Sequence, residues 1–93
     1  MKTFSWHPDK NLWLKATRNV SFEEIVFYIE NGNLLDILEH PDQEKYPGQR
    51  LLVVDVNDYA FLVPFIEFDD EVFLITIIPS RKATRKYLKG KAK

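Results

Sequence analysis

The segment between Arg50 and Ile78 constrains the fold most, because three apolar stretches follow one another with only short polar turns between them. The first two stretches, residues 50–56 and 59–68, are joined by Asn57-Asp58, and the third covers residues 72–78. All three contain many β-branched and aromatic residues, which favour strands, and turns this short join neighbouring antiparallel strands. The sequence therefore predicts an antiparallel meander.

Two helices are predicted ahead of the meander. Pro8 suits the first turn of a helix, where its missing N–H is not needed. Leu12, Trp13 and Ala16 recur on one face of that helix, and Trp13 is expected to be a core aromatic residue. Residues 21–24, Ser-Phe-Glu-Glu, form a capping-box pattern, in which the serine and the second glutamate satisfy each other's free backbone donors. This pattern opens the second helix.

Short flanking segments complete the predicted architecture. Residues 2–6 alternate polar and apolar side chains as a strand does, and residues 34–38 fit either a short strand or a last turn of helix. Ser80 is expected to cap a third helix that starts at Arg81. The order of elements predicts one α+β domain over residues 1–93. In it, an antiparallel sheet of about four to five strands forms a two-layer sandwich with two N-terminal helices and one C-terminal helix.

The net charge of −1 is the sum of two opposite parts. Residues 1–78 contain six Lys/Arg and fourteen Asp/Glu, whereas residues 79–93 contain seven Lys/Arg and no acid. A phosphate chain responds to charge within a Debye length of about 8–10 Å, so the average charge does not decide nucleic-acid binding. Residues 89–93 are expected to form a mobile, solvated tail. The four cations expected in the third helix are Arg81, Lys82, Arg85 and Lys86.

Composition excludes several kinds of site. The chain has no cysteine, which excludes disulfides, thiolate nucleophiles and sulfur-ligated zinc. The two histidines, His7 and His40, lack the spacing of metal ligands, and no phosphate-loop motif is present, so we expect no metal and no other cofactor. No apolar run approaches the roughly 20 residues of a membrane span, and the N-terminus lacks the apolar stretch of a signal peptide. We therefore expect a cytoplasmic protein without a membrane partner.

The first turn of the third helix presents an electrostatic conflict. Arg81 and Lys82 are expected there, although the helix dipole favours acidic residues at this end by about 0.3–1 kcal/mol each. A bound phosphate would remove the conflict, because backbone N–H groups and both cations would bond to it. Arg81 and Arg85 are four residues apart and so share one helical face, which suits a phosphate backbone. The alternative is that these cations pair with the acidic turn at residues 69–71.

The loop at residues 39–49 gathers side chains that can cleave RNA without a metal. Its candidates are His40, Lys45 and Tyr46, and Arg50 opens the next strand. The reaction needs a base for the 2′-hydroxyl proton, cations for the charged phosphorane and an acid for the leaving 5′-oxygen. An imidazole pKa near 6.5 suits His40 to proton transfer. In the competing interpretation, His40 is an ordinary surface residue and Tyr46 packs the loop.

Segments at both ends of the chain resemble the BrnT family of toxins. Residues 4–10, Phe-Ser-Trp-His-Pro-Asp-Lys, and residues 20–24, Val-Ser-Phe-Glu-Glu, are similar to a W-D-P-x-K segment that leads into a V-S-F-E-E helix start. Residues 77–84, Ile-Ile-Pro-Ser-Arg-Lys-Ala-Thr, are similar to the I-I-S-A-R-K-A-T ending of that family. The chain differs at residues 17–19, Thr-Arg-Asn, where the family has K-H-G, and at Thr76, where it has arginine.

The resemblance implies a RelE-like fold and a metal-independent endoribonuclease that arrests translation. It also implies a cognate antitoxin partner with a ribbon-helix-helix DNA-binding part. The expected assembly is a homodimer of the chain or a heterotetramer with this antitoxin. On this hypothesis Arg50, Arg81 and Lys82 hold phosphate, and Arg85 and Lys86 extend the RNA path. One of the three loop candidates named above assists proton transfer.

Two other functions fit the same sequence. In the first, the chain is a non-catalytic module whose basic C-terminal helix docks an acidic protein partner or an antitoxin. In the second, it is a structural protein that forms an oligomer through an edge strand of the meander.

Overall fold

A computed structural model describes residues 3–88, and within them it contains six strands and three helices. In chain order these elements are β1 (Thr3–Trp6), α1 (Pro8–Arg18), α2 (Phe22–Glu30), β2 (Leu34–Glu39), β3 (Arg50–Val56), β4 (Tyr59–Phe68), β5 (Glu71–Leu74), β6 (Ile78–Pro79) and α3 (Arg81–Tyr87). The predicted α+β class, with two N-terminal helices and one C-terminal helix, is confirmed. The tail predicted at residues 89–93 lies outside the described residues.

The strands form one sheet in the order β1-β5-β4-β3-β2, and β6 pairs with β4 beyond the end of β5. The neighbours β2, β3, β4 and β5 are antiparallel to one another, as the meander predicts. β1 is parallel to β5, so the sheet is mixed. A parallel pair needs a long connection, and here it consists of both N-terminal helices and three strands.

Pro64 accounts for the break between β5 and β6, which the sequence predicts as one strand. The Pro64 carbonyl accepts the Ile75 N–H at 2.8 Å, so the backbone polar groups of Pro64 point toward this neighbour. In an antiparallel ladder the N–H of the same residue would bond the same neighbour, and proline has none. The pairing of β4 therefore stops after β5 and resumes at β6.

The two faces of the sheet contact different helices. Buried residues of one face, including Leu52 and Val54, pack with Phe22 and other residues of α1 and α2. Val53 points the other way and packs with Ala83 of α3. The sheet and the layer of α1 and α2 form the predicted two-layer sandwich, and α3 lies on the opposite face. Residues 3–88 include no helix with the length and apolar character that a membrane span requires.

Helix α1 buries a different face from the one its apolar residues predict. Its buried side chains are Asn11 and Leu14, whereas Leu12 and Trp13 are exposed. Asn11 can be buried at the contact between α1 and α2 because both polar atoms of its side chain are hydrogen-bonded. Its Oδ1 accepts the Phe22 N–H at 2.8 Å, and its Nδ2 donates to Glu23 Oε1 at 2.8 Å. The prediction that Trp13 is a core residue is therefore wrong.

Candidate functional site

Helix α3 is fixed to the sheet by one buried threonine. Thr84 Oγ1 accepts the Ala60 N–H at 2.9 Å and donates to the Ser80 carbonyl at 2.8 Å. Ser80 is the predicted cap, and its Oγ accepts the Ala83 N–H at 3.0 Å. These bonds join the first turn of α3 to the start of β4. The position of the basic side chains is therefore set by the sheet.

We expect Thr84→Val to destabilise the fold by about 1–3 kcal/mol, because the buried Ala60 N–H loses its partner. Thr84→Ser keeps the hydroxyl and removes one methyl group, so its expected cost is about 0.8 kcal/mol. Urea unfolding of both variants measures the difference. A valine variant as stable as the wild type would show that the hydroxyl does not anchor α3.

The other end of α3 is tied to the edge strand β2. The Tyr87 hydroxyl donates to Asp36 Oδ2 at 2.6 Å. This bond is the main reason why the pKa of Asp36 lies below its ordinary value, and a smaller effect of the same sign comes from Lys86. The same bond raises the pKa of Tyr87. An ionised carboxylate and a neutral phenol thus close the C-terminal side of the site.

The bond between Tyr87 and Asp36 makes stability depend on pH. Because the folded pKa of Asp36 is depressed, its contribution is present above the ordinary carboxyl pKa of about 3.9 and is lost as the pH falls further. We therefore expect Tyr87→Phe to lower the melting temperature at pH 7 and to lose this effect in acid. Melting curves over the acid range measure it. A difference that stays constant into acid would contradict the assignment.

The basic side chains of α3 are exposed, and within residues 3–88 no carboxylate lies within the 4.0 Å ion-pair distance of them. The pairing of Arg81 or Lys82 with the turn at residues 69–71 is thus not found in the described part of the chain. Helix α3 has seven residues, and the Ser80 cap already satisfies one N–H of its first turn. Attraction for an anion here therefore comes from the side-chain cations.

An open groove of about 320 Å³ runs beside α3 on this face of the sheet. Its rim includes Lys82 and Lys86 from α3, and Pro41 from the loop that follows β2. Its floor is apolar and includes Leu51 and Leu62. The groove thus presents two ammonium groups above an apolar surface.

The three loop candidates form a cluster of their own, and none of them lines the groove. The His40 and Tyr46 rings lie 4.5 Å apart, and Lys45 Nζ is 5.5 Å from the centre of the Tyr46 ring. His40 Nδ1 accepts the Asp42 N–H at 3.1 Å, so the neutral ring carries its proton on Nε2. His40 can donate from Nε2, but it can take up a proton only by giving up the bond to Asp42.

Arg50 lies on the opposite face of the sheet from α3. It shares a face of β3 with Leu52, which packs under α1 and α2, and it is paired in register with Phe65. Its guanidinium donates to Glu67 and lies 5.1 Å from the centre of the Phe65 ring. The structure therefore does not bring Arg50 together with Arg81 at one phosphate. The contacts of Arg50 with Glu67 and Phe65 lie on the other side of the sheet.

Two features of the site have no clear signal in the sequence. The bond between Asp36 and Tyr87 joins residues 51 positions apart, which no local pattern indicates. The groove arises only because α3 packs across β4. Among the described residues no three His, Asp or Glu side chains are grouped as a metal site would require. Comparison of the chain with protein-family models, curated proteins and solved structures found no match.

Proposed function

We propose that this chain is the toxin of a toxin–antitoxin pair, an endoribonuclease that needs no metal and whose partner is a ribbon-helix-helix antitoxin. The observation that carries the proposal is the set of exposed α3 cations, which have no ion-pair partner within residues 3–88 and lie beside an open groove. Stability alone does not favour cations at the start of a helix. The resemblance of residues 77–84 to the BrnT ending, which covers the start of α3, supports the same function. An activity of this kind would place the protein in the cytoplasm, where it meets messenger RNA.

The α3 cations divide into two groups with different tasks. Arg81 and Arg85 share one helical face and would contact successive phosphates of an RNA strand. Lys82 and Lys86 line the groove, where they would draw the strand toward the loop after β2. Phosphate contacts of this kind make affinity fall steeply with salt.

The loop cluster would carry the proton transfers. In the reaction the 2′-oxygen bonds to phosphorus, the bond from phosphorus to the 5′-oxygen breaks, and one proton moves from the 2′-hydroxyl to the leaving oxygen. The Lys45 ammonium would offset charge on the phosphorane. His40, on releasing the Asp42 N–H from Nδ1, would take the 2′-hydroxyl proton, and the Tyr46 hydroxyl would give a proton to the leaving 5′-oxygen. The products are a 2′,3′-cyclic phosphate and a 5′-hydroxyl, and no water or metal enters the balance.

Expression of the chain alone tests this proposal. We expect growth to stop and to resume when the antitoxin encoded beside it is co-expressed. The purified protein is expected to cut single-stranded RNA in the presence of EDTA and to leave 5′-hydroxyl ends. Normal growth and intact RNA would contradict the enzymatic function. Ends that carry a 5′-phosphate would contradict the metal-free chemistry.

A second candidate function is a non-catalytic module that binds an acidic protein segment. The observation in its favour is the apolar floor of the groove, since a phosphate backbone makes no favourable contact with apolar side chains such as Leu51 and Leu62. An amphipathic segment could place an apolar side chain on that floor and its carboxylates against Lys82 and Lys86. This candidate predicts that Lys82→Gln with Lys86→Gln weakens the complex with the antitoxin, while the chain alone leaves RNA intact.

A further inference from the structure

Trp13 occupies an unusual position for a large aromatic side chain. It is 45% exposed on the surface of α1 and belongs to neither buried cluster. Trp6, by contrast, stacks on Phe22 at 5.6 Å between ring centres, against the larger cluster. Packing of the core therefore does not account for Trp13.

Two cations lie against the Trp13 ring. Lys10 Nζ is 4.3 Å from the ring centre, and the guanidinium carbon of Arg18 is 5.2 Å from it. Arg18 also donates to the Ile77 carbonyl, which fixes the end of α1 to the segment before β6. Lys10 meets the ring through a long flexible side chain, so it can move aside without disturbing the helix. The result is an indole ring in contact with one fixed and one movable cation.

This cluster is joined to the basic helix through a short segment of chain. Only residues 78–80 separate Ile77, which Arg18 contacts, from Arg81. Four residues span at most about 14 Å, which is the greatest possible distance from Ile77 to the start of α3. Ile78 and Pro79 between them are exposed. Because α1 and α3 lie on opposite faces of the sheet, an RNA strand that contacts both would pass around β6.

We infer that Trp13, Lys10 and Arg18 form a stacking subsite for one unpaired base of single-stranded RNA. The inference rests on the proposed RNA-binding function. The base would lie on the indole face in place of the Lys10 ammonium, while Lys10 and Arg18 contact the flanking phosphates. An aromatic platform beside cations is the general means by which proteins bind single strands, and it requires bases that are free of a duplex.

The test measures binding of a labelled single-stranded RNA, and of a duplex of the same length, by fluorescence anisotropy. We expect Trp13→Ala to weaken single-strand binding about tenfold and to leave duplex binding unchanged. Trp13→Gln suits an exposed helix position and serves if the alanine variant fails to fold. The matched control is Leu12→Ala, since Leu12 is a neighbouring apolar side chain that is 63% exposed. An abasic strand of equal length should bind the wild type and the Trp13 variants alike.

The outcomes separate this subsite from the proposed function. If Trp13 variants bind RNA like the wild type while loss of Arg81 and Arg85 weakens binding, the subsite is wrong and RNA binding on α3 stands. Equal weakening by Leu12→Ala, or equal weakening on duplex and single strand, would also overturn base stacking. If the wild-type chain binds no RNA, the proposed function fails first.

Discussion

Replacement of Arg81 and Arg85 by glutamine is expected to lower RNA cleavage by about a hundredfold at low RNA concentration, because two charge-assisted phosphate contacts worth about 1.5 kcal/mol each would be lost. Both side chains are exposed, and in residues 3–88 neither has an ion-pair partner, so the fold does not depend on them. The expected change in unfolding free energy is within about 0.5 kcal/mol. Initial cleavage rates and urea unfolding of the same preparations measure the two effects.

The matched control removes one cation elsewhere. Lys15→Gln on α1 breaks only the ion pair with Glu23, at 3.8 Å, and should leave cleavage unchanged. A double variant of Arg81 and Arg85 that cuts RNA at the wild-type rate would contradict the functional assignment of α3. A large loss of stability in that variant would show that the two arginines hold the fold.

Asn11→Leu is expected to destabilise the fold clearly, although leucine has a similar size. The buried Phe22 N–H would lose its acceptor, which costs about 1–3 kcal/mol, and Glu23 would lose its neutral donor. The bond from Asn11 is also the main reason why the pKa of Glu23 is lowered. In the variant this pKa should rise toward its ordinary value, which titration followed by NMR measures.

Lys15→Gln serves as control for this prediction as well, because Lys15 contacts the same glutamate from the surface. An exposed ion pair contributes about 0.2–1 kcal/mol, so the control should be clearly less harmful than Asn11→Leu. Equal destabilisation by the two variants would mean that the buried amide does not join α1 to α2.

The strands of the meander and the capped helices could be predicted because their signals are local. A turn such as Asn57-Asp58 adopts positive φ at both residues and directs the chain back on itself, and the capping box at residues 21–24 is formed as predicted. The parallel pairing of β1 with β5 could not be predicted, since it depends on how the whole chain packs. The break between β5 and β6 could not be predicted either, because it depends on which neighbouring strand the backbone of Pro64 faces.

The buried face of α1 was mispredicted for a physical reason. Asn11 is polar, so the pattern of apolar residues does not indicate that Asn11 and Leu14 form the buried face of α1. Leu12 and Trp13 are apolar but exposed, so the apolar pattern predicts the wrong face of α1 as the buried one. Only the backbone donor of Phe22, which lies on another helix, shows why an asparagine belongs in that contact.

The candidate site was partly predictable. Its cations follow from residue type and from the four-residue spacing of Arg81 and Arg85, which depends on the helix alone. The position of Arg50 on the face away from α3 could not be predicted. Strand alternation assigns residues to two faces of the sheet but does not indicate which face α3 packs against. His40 and Tyr46 belong to one predicted loop, and their rings are in contact. The sequence does not indicate that His40 Nδ1 accepts the Asp42 N–H, because this bond depends on the local turn of the backbone.

The most direct test of the account is the salt dependence of binding to a single-stranded RNA, compared between the wild type and the Arg81→Gln, Arg85→Gln variant. Each phosphate contact on a single strand makes the slope of log affinity against log salt more negative by about 0.7. Loss of two contacts should therefore make the slope less negative by about 1.4. Identical slopes for the two proteins would show that these arginines do not hold RNA phosphate.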